Sequence, residues 1–136
     1  MTQPIKIQGL AEFTRNLRKI DNDLPKAVRL AGNEAVEIVL TWARPRVPHR
    51  SGAAVRSLKA RSTRTAARAQ AGGDRARYFP WLDFGGATGP RRSVKRPFIR
   101  QGRYLWRGLA ENHDKVRASM ASSLVRIVEQ AGIEVT

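Results

Sequence analysis

YFPWLDFGG, residues 78–86, sets four of the nine aromatics and one acid inside a segment otherwise rich in arginine. Pro80 stands where a helix can start and Gly85 where it would stop, so the spacing predicts one short helical turn. Tyr78, Trp81, Leu82 and Phe84 would then bury together, each aromatic bringing about 150–250 Å² of contact. On this reading the stretch is a structural anchor rather than a site for chemistry. Asp83 admits two readings. It is an internal counter-ion that pins one nearby arginine and fixes the turn, or it is a solvated acid in a positive field.

The anchor sits in an uneven charge distribution. The chain has 136 residues and a net charge of +15. Residues 1–40 hold six Lys/Arg and five Asp/Glu, and residues 108–136 hold three and four, so both ends are nearly neutral. Residues 41–107 hold seventeen and two, a net of +15. A disordered basic tail would place the excess at a terminus. A central excess instead points to a folded basic unit between neutral helical elements, facing a polyanion or an acidic protein surface.

Working outward, "GLAEFTRNLRKI" places Leu10, Phe13, Leu17 and Ile20 on one helical face. Asp21 and Asp23 offer capping side chains, and Pro25 suits the first turn of a second, longer helix from about Leu24 to Arg44. Its apolar stripe is Val28, Ala31, Ala35, Ile38, Val39 and Trp42, and Pro45 and Pro48 end it. From Ala53 to Ala71 the period changes to two. Leu58, Ala60 and Ser62 alternate with Lys59, Arg61 and Thr63, and Arg64, Ala66, Arg68 and Gln70 alternate with Thr65, Ala67, Ala69 and Ala71. Both runs read as strands with a small apolar face and a basic one. "TGPRRSVKRP", residues 88–97, reads as a flexible or ligand-ordered basic loop. A last helix is expected from Phe98 or Tyr104 to Gln130, with Leu105, Leu109, Val116, Met120, Leu124, Ile127 and Val128 along it and Gly132 as its stop.

The length suits one domain spanning 1–136. Cysteine is absent, which removes disulfides, thiolate nucleophiles and cysteine-based zinc sites. The opening "MTQPIKIQGL" lacks the pattern of a secretory signal, and no apolar run approaches the roughly 20 residues of a membrane helix. His49 and His113 have no ligand spacing around them, the serines have no GxSxG context, and "GGATGP" lacks the Walker spacing. The expectation is therefore no catalytic residue, no metal and no cofactor. Lys59, Arg61, Arg64 and Arg68 could form a merely solvated strand face. The polyanion-facing reading is preferred, because uncompensated charge is costly and arginine, which grips phosphate bidentately, greatly outnumbers lysine. No base-reading motif accompanies these cations, so any DNA contact would be to the backbone.

Three islands together resemble a known family. They are "IKIQGLAEFTRNLRKI" before a long helix, "ARPRVPHRSGAAVRSLKA", and "YFPWLDFGG" followed closely by "RPFIR". In order and spacing they are similar to the tail-completion, or head–tail joining, proteins of long-tailed bacteriophages, minor tail components similar to the lambda Z protein. The resemblance covers most of residues 5–105. It implies a small α+β subunit, with a small antiparallel sheet packed against a long N-terminal helix and a C-terminal helix. It also implies a homo-oligomeric ring, six-fold in symmetry, in the virion neck, assembled in the host bacterial cytoplasm. The implied partners are further copies of itself, a tail terminator or tail tube protein, a head-side connector or stopper protein, and packaged DNA. A tail terminator or head–tail adaptor of the same neck is the neighbouring alternative. A stand-alone non-specific nucleic-acid-binding protein is the rival from another class.

Carried over residue by residue, Arg50, Ser51 and Gly52 match the turn that starts the sheet. Tyr78, Asp83, Phe84 and Gly85 match the aromatic knot, and Arg96, Pro97 and Phe98 the motif that leads into the last helix. A lumen-facing role for Lys59, Arg61, Arg64 and Arg68 follows from charge. Arg91, Arg92, Lys95 and Arg96 form a second candidate contact, to DNA or to an acidic neighbouring ring.

Overall fold

A computed structural model describes residues 2–5, 9–20 and 22–131 as an α+β fold. Helix α1 (Leu10–Ile20) buries Leu10 and Leu17 and half-buries Phe13, as its period requires. Helix α2 (Leu24–Ala43) takes Pro25 in its first turn and closes with the Arg44 amide on the Leu40 carbonyl, just before Pro45. Its buried face is broader than the sequence stripe. Val36, Leu40 and Ala43 join Val28, Ala31, Ala35 and Val39, while Ile38 and Trp42 are half-buried. The reason is that α2 is a hub, with helices and a strand packed around it.

The 53–71 region departs from the strand expectation at its start. Ser51 and Gly52 do not open the sheet directly. Gly52 takes φ +78°, Ser51 Oγ accepts the Ala53 amide at 3.3 Å, and the short helix α3 (Ala53–Arg56) follows. Two alanines of high helix propensity outcompete a strand there. Strands β2 (Lys59–Ala60) and β3 (Ala67–Gln70) then pair antiparallel around a tight turn at Thr63–Ala66. An unexpected strand, β1 (Thr2–Ile5), pairs antiparallel with the other side of β3, giving the order β1-β3-β2. Pro4 is tolerated because β1 lies at the sheet edge. Ala67, Ala69 and Ala71 are buried, and their small size lets β3 lie close against α2.

Residues 88–97 are a hairpin rather than a loop. Strands β4 (Gly86–Thr88) and β5 (Val94–Arg96) pair antiparallel around a 3-10 turn at Pro90–Arg92. The C-terminal region is two helices, α5 (Leu105–Glu111) and α6 (His113–Gln130), not one. Asn112 makes the break by donating its side-chain amide to the Gly108 carbonyl at 2.8 Å, the local competition expected of asparagine. Val116, Met120 and Ile127 are buried along α6, with Leu124 and Val128 half-buried, and Leu109 is half-buried on α5. Gly132, the expected stop, lies outside the described residues, as does Asp21.

The aromatic knot is the helix α4 (Phe79–Phe84), with Gly85 as its C-cap, as the sequence predicts. Its packing differs from expectation. Phe79 is the fully buried ring at 0% exposure, whereas Tyr78 is 43% exposed and Trp81 and Phe84 are half-buried. Tyr78 precedes the helix and points away from the face that Phe79, Leu82 and Asp83 bury.

Asp83 is also 0% exposed, which excludes the solvated reading. It joins no ion pair among the described residues. Its Oδ1 instead accepts the amides of Arg103 at 2.7 Å and Tyr104 at 2.9 Å, at the start of α5. Tyr104, at the N-cap position, has no capping side-chain hydrogen bond of its own. Asp83 therefore caps α5 through space, satisfying donors that a helix start leaves open. The Arg103 guanidinium closes the junction by donating to the carbonyls of Asp83 and Pro97. Two glycines make room for this. A Cβ at Gly102 would stand 2.8 Å from Asp83 Oδ1, and one at Gly85 would stand 2.1 Å from the Pro97 carbonyl oxygen.

Removing this cap has a graded expected cost. Asp83→Ala leaves one buried amide, that of Tyr104, and one part-buried amide, that of Arg103, without acceptors and lowers stability by about 2–4 kcal/mol. Asp83→Asn keeps the acceptor oxygen and costs about 1 kcal/mol. Urea denaturation of the two variants checks this, and equal losses would mean that charge, not the acceptor geometry, holds the junction.

Candidate nucleic-acid interface

The two groups of cations singled out by sequence lie on different sheets. Register places Lys59 opposite Gln70, and the Arg61 amide bonds the Arg68 carbonyl at 2.9 Å. Lys59, Arg61 and Arg68 therefore share the outer face of the three-stranded sheet, while Ala60 and Ala69 face α2. Lys59 and Arg61 are exposed and Arg68 is half-buried, with its Nε enclosed and unbonded. Arg64 stands apart on the Thr63–Ala66 turn, held there by the Thr14 hydroxyl donating to its carbonyl at 2.7 Å. The structure thus brings together three of the four expected residues.

Lys59 and Arg61 also line an open groove of about 720 Å³ beside α2, with Arg29, Asn33, Glu37 and Arg44. Part of this groove is neutralised internally. Arg44 grips Glu37 through its two terminal guanidinium nitrogens at 3.0 and 3.3 Å, and Asn33 Oδ1 accepts the Ser62 amide at 2.9 Å. Lys59 and Arg61 have no carboxylate within ion-pair distance among the described residues.

In the hairpin, Arg91, Arg92 and Lys95 are exposed and carry no ion pair among the described residues. Arg96 differs from the expectation of a contact residue. It is half-buried, donates to the Tyr104 hydroxyl at 2.9 Å and lies 5.7 Å from the centre of the Trp81 ring. It clamps the hairpin base. Trp81 Nε1 does the same from the other strand by donating to the Gly86 carbonyl at 3.0 Å. The Ile99 amide bonds the Phe84 carbonyl at 2.7 Å, so both ends of the hairpin are tied to α4. Pro97 serves this junction, while Phe98 extends into solvent at 69% exposure instead of leading into the last helix. Arg50 is exposed.

The hairpin tip has an uncommon backbone. The Ser93 amide bonds the Pro90 carbonyl at 3.1 Å across Arg91 (φ +54°) and Arg92 (φ +57°). Positive φ at both central residues is the type I′ pattern, which favours Asn-Gly. Each arginine held there costs about 1–2 kcal/mol.

A third cationic cleft was not legible in the sequence. Trp42 and Arg46 near the end of α2, Arg103 before α5 and Arg107 and Glu111 within it line one concavity. The Arg46 guanidinium stacks 3.9 Å from the Trp42 ring centre, and Arg107 approaches Glu111 at 3.8 Å. Only packing brings these distant positions together, although the four-residue spacing of Trp42 and Arg46 was a local signal.

Of the seventeen cations in residues 41–107, Arg44, Arg77 and Arg107 have a carboxylate within ion-pair distance among the described residues. All three pairs are substantially exposed and contribute about 0–1 kcal/mol each. They do little to offset self-repulsion. No set of three or more His, Asp or Glu side chains stands together as a metal site among the described residues. Among the described residues no helix is long and apolar enough to cross a membrane. Comparison with protein-family models, curated proteins and solved structures finds no match.

The tip strain has a direct check. Arg91→Asn with Arg92→Gly suits the type I′ geometry and should raise stability by about 1–2 kcal/mol in thermal or urea denaturation.

Proposed function

We propose that this chain is a structural virion subunit that forms a ring at the head–tail interface of a long-tailed phage, completing the tail around the DNA channel. The observation that carries the reading is the placement of charge. Lys59, Arg61 and Arg68 project from a sheet whose other face is packed on α2, and Arg91, Arg92 and Lys95 project from a hairpin tied at its base. A wall around DNA requires fixed positive charge without base readout, and these cations sit on short, regular elements rather than on a tail. The resemblance of the three sequence islands to tail-completion proteins supplies the assembly and its position. The partners on this reading are further copies of the chain, the tail terminator or tail tube protein below, and the connector or stopper above. Exposed arginines and half-buried apolar side chains supply material for subunit contacts in a closed ring.

Gold-labelled antibody against the chain, applied to intact phage particles, is expected to mark the joint between head and tail. Its absence from the particle would overturn the reading. Salt titration of DNA binding separates the stand-alone rival, which should lose affinity with a log–log slope of about −0.9 per phosphate neutralised and show no ring by native mass spectrometry.

A further inference from the structure

The geometry points to the β4–β5 hairpin as a phosphate-gripping arm that contacts the backbone of duplex DNA through Arg91 and Arg92. This deepens the channel-lining reading above and rests on it for the presence of DNA. Three observations converge. The first is the tip backbone. Two consecutive arginines hold positive φ at positions where Asn-Gly would sit without strain. Backbone strain of this kind clusters at functional sites and ligand clamps. Neither arginine bonds anything within the molecule through its side chain among the described residues, which leaves both guanidinium groups free to meet an outside partner.

The second observation is the form of the arm. Its base is clamped on both strands, by Trp81 Nε1 on the Gly86 carbonyl and by Arg96 on Tyr104. The tip is exposed throughout residues 88–95. The clamped base presents the two guanidinium groups from a fixed position, which lowers the ordering cost of binding. Gly86, Ala87, Thr88 and Ser93 keep the ribbon slim, and a two-stranded ribbon is one of the two shapes that the DNA major groove admits.

The third is composition, which favours phosphate over an acidic protein. Protein interfaces bury aromatic or apolar anchors at their centre, with charge at the rim. The tip, residues 88–95, carries no aromatic anchor; Val94, 47% exposed, is its one large apolar side chain, and the nearest strongly exposed ring, Phe98, belongs to the base. Interfaces with DNA are polar and strongly positive, and arginine grips phosphate with two parallel hydrogen bonds.

The test measures binding of the full chain to a mixed-sequence duplex of about 30 base pairs by fluorescence anisotropy across a salt series. Arg91→Asn/Arg92→Gly is the removal variant and Arg91→Lys/Arg92→Lys the charge-preserving one. Because the first suits the turn, its loss of binding cannot come from misfolding, and a melting curve confirms this. Expected are a log–log slope shallower by about 1.8 and an affinity lower by about 10- to 60-fold near 0.1 M salt for the removal variant. The lysine variant should retain the wild-type slope. An unchanged slope for the removal variant overturns the proposal, as does a wild-type chain with no measurable duplex binding at low salt. Loss of binding to polyglutamate with duplex binding intact would also overturn it and assign the arm to an acidic protein. Native mass spectrometry of the same samples keeps the two readings apart. A ring with an unchanged slope removes the arm and leaves the ring, and a changed slope without a ring does the reverse.

Discussion

One buried carboxylate sets the arrangement of the basic half of the molecule. Asp83 lies on α4, yet the donors it satisfies belong to the start of α5, twenty residues on. Everything between, the hairpin included, is therefore a loop pinned at both ends. Arg103 closes the same junction from the other side through two carbonyls, and Gly85 and Gly102 leave it the space it needs. In a segment of seventeen cations, a single acid spent on backbone amides rather than on an arginine looks wasteful of charge. It is effective in structure, because its Oδ1 accepts two amides that would otherwise lie without a partner at the start of α5.

Helices α1 and α2 were legible because each covers one face with apolar residues at a clear period, whereas α3 fell in a stretch read as strand. α1 and α2 lie where Leu10 to Ile20 and Val28 to Val39 place them, and proline and glycine mark the ends of α2 and α4. What the period could not reveal is made by partners. β1 shows no alternation in its four residues and exists because β3 offers it an edge. The division at Asn112 turns on one side chain choosing its own backbone, and the hairpin at 88–97 is too short and basic to display a strand pattern.

The candidate site was legible by residue and less so by role. Alternation groups Lys59, Arg61, Arg64 and Arg68 on a basic side; the strand pairing, which alternation cannot give, puts Lys59, Arg61 and Arg68 on one face and leaves Arg64 on the turn. Composition cannot separate Arg96 from Arg91 and Arg92, which look alike in sequence. One stacks near Trp81 and bonds Tyr104, while the others stand at a strained tip. Tyr78 was placed in the buried set and Phe79 left out for a similar reason: neighbouring positions on a helical turn point about 100° apart, and the turn's phase was not readable.

The pairing of β1 with β3 has a consequence for how the chain reaches this state. Thr2 aligns with Gln70, so the first residues find their partner only after about half of the polypeptide has left the ribosome. α1 and α2 can coil early from local contacts, but the sheet must wait for a closure of high contact order. Until then α2 lacks the strand that covers one of its flanks. The nascent chain at that stage is a helical pair whose apolar faces, the one that α6 covers last among them, are still open, a species prone to wrong pairing.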